Sequence, residues 1–180
     1  MSDRIVDTSK FLSYVLRHQP DAIGIALDSE GWTDIAVLIS AAAQHGRRLD
    51  DALIEEVVRS NDKKRFALSS DGLRIRAVQG HSTNTVQLQH VETAPPPVLY
   101  HGTATRFLDA IRREGLRAGA RHHVHLSQDH ATAVAVGTRH GKPLVLRIDA
   151  AAMAMDGFRF FLSENGVWLT NEVPPAYLSE

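Results

Sequence analysis

The chain has 180 residues, enough for one large domain or two small ones, and a hydrophobic share of 43% allows a packed core. A net charge of −1 argues against a protein that coats nucleic acid nonspecifically, yet a few well-placed arginines can still recognise a single phosphate. Cysteine is absent, no apolar run is long enough to span a membrane, and Met1-Ser2-Asp3-Arg4 lacks a signal peptide's apolar stretch, so a cytoplasmic protein is the simplest reading.

In chain order, Phe11, Leu12, Val15 and Leu16 are spaced along one helical face that Gln19-Pro20 brings to an end. Ile23 to Leu27 is short and apolar, and Asp28-Ser29-Glu30-Gly31 reads as a turn. Thr33 is a candidate cap for a second helix carrying Ile35, Leu38 and Ile39, with Gly46 as terminator. Asp50 can cap a third, with Leu53, Ile54, Val57 and Val58 inward. Arg65 to Leu68 and Leu73 to Arg76 flank Ser70-Asp71-Gly72, a hairpin signature. Three helices and a hairpin fit a winged-helix module, or an ordinary small α+β domain.

Pro95-Pro96-Pro97 reads as a semi-rigid connector, which divides the chain into residues 1–92, a linker at 93–97, and residues 98–180. Beyond it, Val98 to Tyr100 predicts a strand and Thr105 to Glu114 a helix with Phe107, Leu108 and Ile111 inward. His123 to Leu126 predicts a strand, Asp129 to Val136 a helix, and Leu144–Ile148, Arg159–Leu162 and Val167–Leu169 further strands. Glu164-Asn165-Gly166 supplies the last turn. The second lobe is thus expected to be a mixed sheet with a few helices, and the chain as a whole α+β.

Four groups of residues are candidates for chemistry. Arg17 and His18 end the first helix, where a basic pair either matches the helix dipole or clamps an anion beside a group that can move a proton. Lys63, Lys64 and Arg65 open the first hairpin strand, and Arg74 and Arg76 share one face of the second. These cations are either solvated strand ends or a wing lying along a sugar–phosphate backbone. Tyr100-His101-Gly102-Thr103 joins a strand to a helix, where glycine lets a backbone approach a ligand and His and Thr supply hydrogen bonds. No GxGxxG or GxxxxGK[ST] pattern is present. Lastly, Arg121-His122-His123-Val124-His125-Leu126-Ser127 sets His123 and His125 on one strand face. That pairing can bind zinc, but no third ligand stands at a sensible spacing, so positioning a sugar or phosphate is preferred and no metal is expected.

Taken together, Ser9 to His18, Asp62 to Phe66, Ile75 to Ser82, Leu99 to Thr103, Arg121 to Ser127, Gly137 to Gly141 and Glu164 to Thr170 resemble, in order, the NAD-dependent RNA 2′-phosphotransferases of the KptA type. The resemblance covers nearly the whole chain. It implies an N-terminal winged-helix lobe that binds RNA and a C-terminal ADP-ribosyltransferase-like lobe of mixed α/β structure that binds NAD. It also implies a catalytic set on Arg17, His18, Arg65 and Arg121, with His101, Gly102, Thr103, His125 and Ser127 on the NAD side and Lys64, Arg74 and Arg76 on the RNA side. The partners implied are NAD, consumed as co-substrate, and RNA bearing a 2′-phosphate; no obligate protein partner is evident. Many ADP-ribosyltransferases carry a catalytic glutamate on a later strand. Here that stretch is Gly166-Val167-Trp168, and nearby Glu164 is not assigned the role. A phosphate dianion needs no base to become a nucleophile, only cations to hold it. Two rivals remain: a transferase that ADP-ribosylates phosphorylated nucleic-acid ends and stops there, and a winged-helix regulator with a degenerate second lobe.

Overall fold

The computed structural model describes residues 3–180, so Met1 and Ser2 of the N-terminal reading lie outside the described residues. Its contacts divide the chain into two units, residues 1–89 and 90–180. The proline run is therefore not the seam. Val91 and Glu92 pair with a strand of the second unit, the Thr93 amide donates to Phe160, and the Pro97 carbonyl accepts from Ala151.

In the first unit, helix α1 spans Asp3–Arg17 and buries Ile5, Leu12, Val15 and Leu16 on one face. A 3-10 turn at Pro20–Ile23 follows and closes on Gly24, whose φ of +71° is a left-handed conformation that glycine adopts without strain. Strand β1 is Thr33–Asp34, and α2 is Ile35–Gln44. The α2 cap is Asp34, not Thr33. Asp34 Oδ1 accepts from the Ala36 amide at 2.9 Å, whereas Thr33 is buried in the β ladder opposite Ile75. Helix α3, Asp51–Arg59, begins as expected with Asp50 accepting from the Leu53 amide at 2.8 Å. Strands β2 (Phe66–Leu68) and β3 (Arg74–Ala77) form the hairpin, and β1 adds to it antiparallel, in the order β1-β3-β2. The two-residue β1 has no alternating apolar run, which is why the periodicity missed it.

The second unit opens with β4 (Val91–Glu92) and β5 (Val98–Ala104), then α4 (Leu108–Glu114) and β6 (Leu116–Arg117). It continues through β7 (Val124–Leu126), α5 (His130–Gly137), β8 (Pro143–Asp149), α6 (Ala150–Met155), β9 (Phe160–Leu162), β10 (Trp168–Thr170), β11 (Glu172–Val173) and β12 (Leu178–Ser179). One sheet runs β4-β9-β10-β7 and another β12-β8-β5, while β6 and β11 form a two-stranded ribbon. Tyr100 and Ser127 exchange backbone hydrogen bonds at 2.8 and 2.7 Å, which links β5 to the end of β7. All strand pairings among the described residues are antiparallel, where a mixed sheet was expected.

Two local expectations are corrected. The first strand does not stop at Tyr100, because β5 pairs with β8 as far as Ala104 and takes His101, Gly102 and Thr103 into the ladder. Phe107 does not face inward. It is 41% exposed in a 3-10 turn before α4, with the Arg106 guanidinium 4.7 Å from its ring centre.

Candidate functional site

Arg17 is the last residue of α1 and is only 8% exposed, an unusual position for an arginine. Its Nη2 donates to the Arg65 carbonyl at 3.5 Å. The Ser82 amide donates to the Arg17 carbonyl at 2.9 Å, and Ser82 Oγ lies 2.9 Å from His18 Nδ1. Ser82 therefore serves one of α1's terminal carbonyls and orients the His18 ring.

Arg65 is set by a loop built around Asn61, a buried side chain that the sequence reading did not single out. Asn61 Oδ1 accepts from Arg65 Nη1 at 3.3 Å and from the Lys63 amide at 3.2 Å, while Nδ2 donates to Ser9 Oγ at 3.2 Å. The Asn61 carbonyl accepts from Lys64, whose φ of +42° is a strained value outside glycine. Strain of that kind survives only where surrounding bonds over-determine the backbone.

Arg17, His18 and Arg65 line one cleft of about 510 Å³. Lys10, Lys63 and the exposed Tyr14 line it too, and Asp62 is its single acid, so it complements an anion. Lys64 is not among them. It lines a neighbouring concavity with Arg59 and Phe66, leaving Lys10 and Lys63 as the lysines of the cleft. Arg74 and Arg76 also lie elsewhere, with their guanidiniums 5.4 and 4.6 Å from the ring centre of Trp32, a residue the sequence reading passed over.

In the second unit, His101 Nδ1 lies 3.0 Å from the His125 carbonyl. A carbonyl only accepts, so Nδ1 carries the proton, and Nε2 of the neutral ring is an acceptor. Burial holds the His101 pKa below the ordinary histidine value; the bond to His125 opposes this, and positive charge from His140 and Arg121 adds to it. His125 has the opposite tautomer. Arg121 Nη1 donates to its Nδ1 at 3.1 Å, and a guanidinium cannot accept, so the His125 proton lies on Nε2. Arg121 is exposed along its length, yet its guanidinium is desolvated enough to lower its pKa.

Gly102 has a packing role that its motif does not announce. A Cβ built there would lie 1.8 Å from the Ala133 carbonyl oxygen, so the missing side chain makes room for α5. Gly137 answers it from α5, 2.6 Å from the Thr103 carbonyl by the same construction. Thr103 is buried in β5, and Ser127 bridges to Tyr100 through its backbone. His123 packs against Phe161 and His90, with ring centres 5.6 and 5.8 Å away, and burial lowers its pKa. Among the described residues no three His, Cys, Asp or Glu side chains gather as a metal site. Glu164 is exposed in the turn before β10.

Comparison with known proteins identifies the family. The family described as RNA 2′-phosphotransferase, Tpt1 / KptA family matches residues 3–172. A protein of Pseudomonas fluorescens named a probable RNA 2′-phosphotransferase is 63% identical over 179 residues, covering 99% of this chain and 98% of its own. Proteins with the same name from Escherichia coli O139:H28 and Pectobacterium atrosepticum are 58% and 55% identical, covering 97% and 100% of this chain and 95% and 100% of their own. The chain belongs to the RNA 2′-phosphotransferase, Tpt1 / KptA family.

Proposed function

We propose that this protein removes an internal 2′-phosphate from RNA, with NAD consumed as co-substrate. The observation that carries the reading is the cationic cleft in which Arg17, His18 and Arg65 meet, with Asn61 and Ser82 holding two of them in place. A phosphate dianion loses its hydration on binding and needs several fixed donors in return, and guanidiniums supply them in a planar fork.

Of the first unit, the element order α1, β1, α2, α3, β2, β3 with strand order β1-β3-β2 supports a winged-helix reading. For the second, two antiparallel sheets joined at Tyr100 and Ser127 support the ADP-ribosyltransferase-like reading. NAD fits the donor set there. His101 Nε2 accepts from a ribose hydroxyl, and His125 Nε2–H donates to an oxygen. We assign NAD binding to His101, Thr103, His125 and Ser127, and leave Gly102 the indirect task of holding α5 against β5. We take the protein to work in the cytoplasm.

The reaction has two steps. The RNA 2′-phosphate displaces nicotinamide from the anomeric carbon of NAD, through an oxocarbenium-like state. The neighbouring ribose hydroxyl then attacks phosphorus, which frees RNA with a 2′-hydroxyl and leaves ADP-ribose 1″,2″-cyclic phosphate. We assign Arg17 and Arg65 to hold charge on the phosphate oxygens and keep Arg121 in the catalytic set as a further fixed cation. His18, oriented by Ser82, protonates the departing RNA oxygen. Incubation with 2′-phosphorylated RNA and NAD, with both products weighed by mass spectrometry, tests the reading. Loss of phosphate from RNA without the cyclic phosphate, or a stable ADP-ribosyl adduct as the only product, overturns it.

A further inference from the structure

Outside the cleft, the three-stranded sheet of the first unit carries a second grouping. Along β3 the burial alternates, with Ile75 and Ala77 inward and Arg74 and Arg76 outward. Thr33 pairs with Ile75 and Asp34 with Arg74, so Trp32 is in step with Arg76 on the outward face, where the guanidinium stacks 4.6 Å from its ring centre. Ala67 of β2 pairs with Arg76, and by alternation Arg65, two residues earlier, belongs to the same face. One face thus leads from Arg65, a residue of the phosphate cleft, across Arg76 to Trp32 and Arg74.

That face matches the chemistry of a single RNA strand. Bases stack on aromatic rings and on guanidinium planes, and the outer edges of the same guanidiniums meet phosphates. Acids stand nearby, among them Asp71, which feels the Arg74 charge and accepts from Ser69 and the Leu73 amide. Asp28 pairs with Arg74 at 3.8 Å, with both side chains about half exposed, so a phosphate can take its place. Asp34 is engaged as the α2 cap by the Ala36 and Val37 amides. From Arg65 to Trp32 is two strand spacings across and two residues along, roughly 12 Å, or three to four stacked nucleotides.

We propose that Trp32, Arg74 and Arg76 form a second RNA subsite, which takes a nucleotide of the single strand flanking the 2′-phosphate. The subsite rests on the RNA reading given above. It fixes where the strand lies, and its contribution grows with substrate length.

Two measurements test it. The first compares kcat/KM on a 2′-phosphorylated dinucleotide with that on a substrate extended by five unpaired nucleotides on each side. Trp32→Ala should lose about tenfold on the extended substrate, the usual order for one stacked base, and almost nothing on the dinucleotide. Trp32→Phe should keep most of the gain, and Arg74→Gln with Arg76→Gln should flatten the salt dependence on the long substrate only. Equal losses on both substrates would mean a structural role for Trp32 and overturn the subsite. The second measurement does not depend on turnover. The chain has two tryptophans, and Trp168 is buried, so an unphosphorylated oligonucleotide should quench fluorescence in the native protein and in Trp168→Phe but not in Trp32→Phe. Absence of quenching by Trp32 overturns the subsite. Quenching without any 2′-phosphate removal overturns the catalytic reading instead.

Discussion

In the first unit the side chains of the cleft are held by other side chains, one from the same loop and one from far along the sequence. Asn61 fixes Arg65 and Ser82 orients His18, while the α1 carbonyl end and the hairpin meet at Arg17. In the second unit the comparable residues are held by the sheet. His101 is pinned by a backbone carbonyl of the neighbouring chain segment, and His125 by its strand and by Arg121. The first arrangement gathers positive charge, whereas the second keeps one ring neutral and sets the proton position on both. A highly charged anion needs the former, and uncharged hydroxyls need the latter.

Replacing the fork while keeping the charge strikes hardest. Arg65→Lys in the first unit and Arg121→Lys in the second should each lower turnover by about 10²- to 10³-fold, the usual cost of losing a fixed donor to developing charge. Thermal melting should stay near that of the native protein, since neither guanidinium is part of a hydrophobic core. Near-normal turnover would show that charge alone suffices, and the comparison would lose its geometric half.

Gly102→Ala attacks the scaffold of the second unit. The new Cβ would meet backbone atoms of Ala133 and Gly137, which cannot swing away like a side chain, so about 3 kcal/mol of stability should be lost in denaturant titration. The first-unit counterpart is Asn61→Ala. It strips an acceptor from Arg65 and Lys63 and a donor to Ser9, at a cost of about 1–3 kcal/mol, and it should lower kcat as well because Arg65 is released. Asn61→Asp, which keeps the acceptor, should recover part of the turnover. If Asn61→Ala lost stability alone, Arg65 would be fixed by something other than this loop.

The sequence was most readable where one residue does one local job. Asp50 caps its helix, and Ser70-Asp71-Gly72 turns the hairpin, because capping and turns depend on neighbours in the chain. It was least readable where one polar side chain positions another. Asn61 and Ser82 resemble ordinary loop polar residues until Arg65 and His18 come to lie beside them, although both fall in or next to segments that carry the family resemblance. Trp32 gave no signal because β1 is too short to show a period. Gly102 was conspicuous by its motif, but its packing role was not readable there. Its motif suggested a ligand, and only packing reveals the helix that fills its space.

The smallest expected effect concerns His101, and it isolates the neutral half of the comparison. Burial holds its folded pKa below the ordinary histidine value, so near pH 7 the ring is neutral and Nε2 accepts. As pH falls through the folded pKa, Nε2 gains a proton, and the acceptor becomes a charged donor facing a hydroxyl. Affinity for ADP-ribose should therefore weaken on the acid side of the ordinary histidine range by several-fold, a loss of about 1 kcal/mol for one hydrogen bond. Stability follows the same sign. The unfolded chain takes up this proton at the higher pKa, so acid favours unfolding once pH drops below that value. His101→Gln cannot titrate, and it should bind ADP-ribose more weakly at neutral pH, with the histidine-specific part of the acid loss removed. Calorimetric titration of both proteins between pH 5 and pH 8 measures this (a range chosen to bracket the unperturbed pKa of about 6.5). Parallel curves for the two proteins would mean that the acid sensitivity lies in another group and that His101 Nε2 does not accept from the ligand.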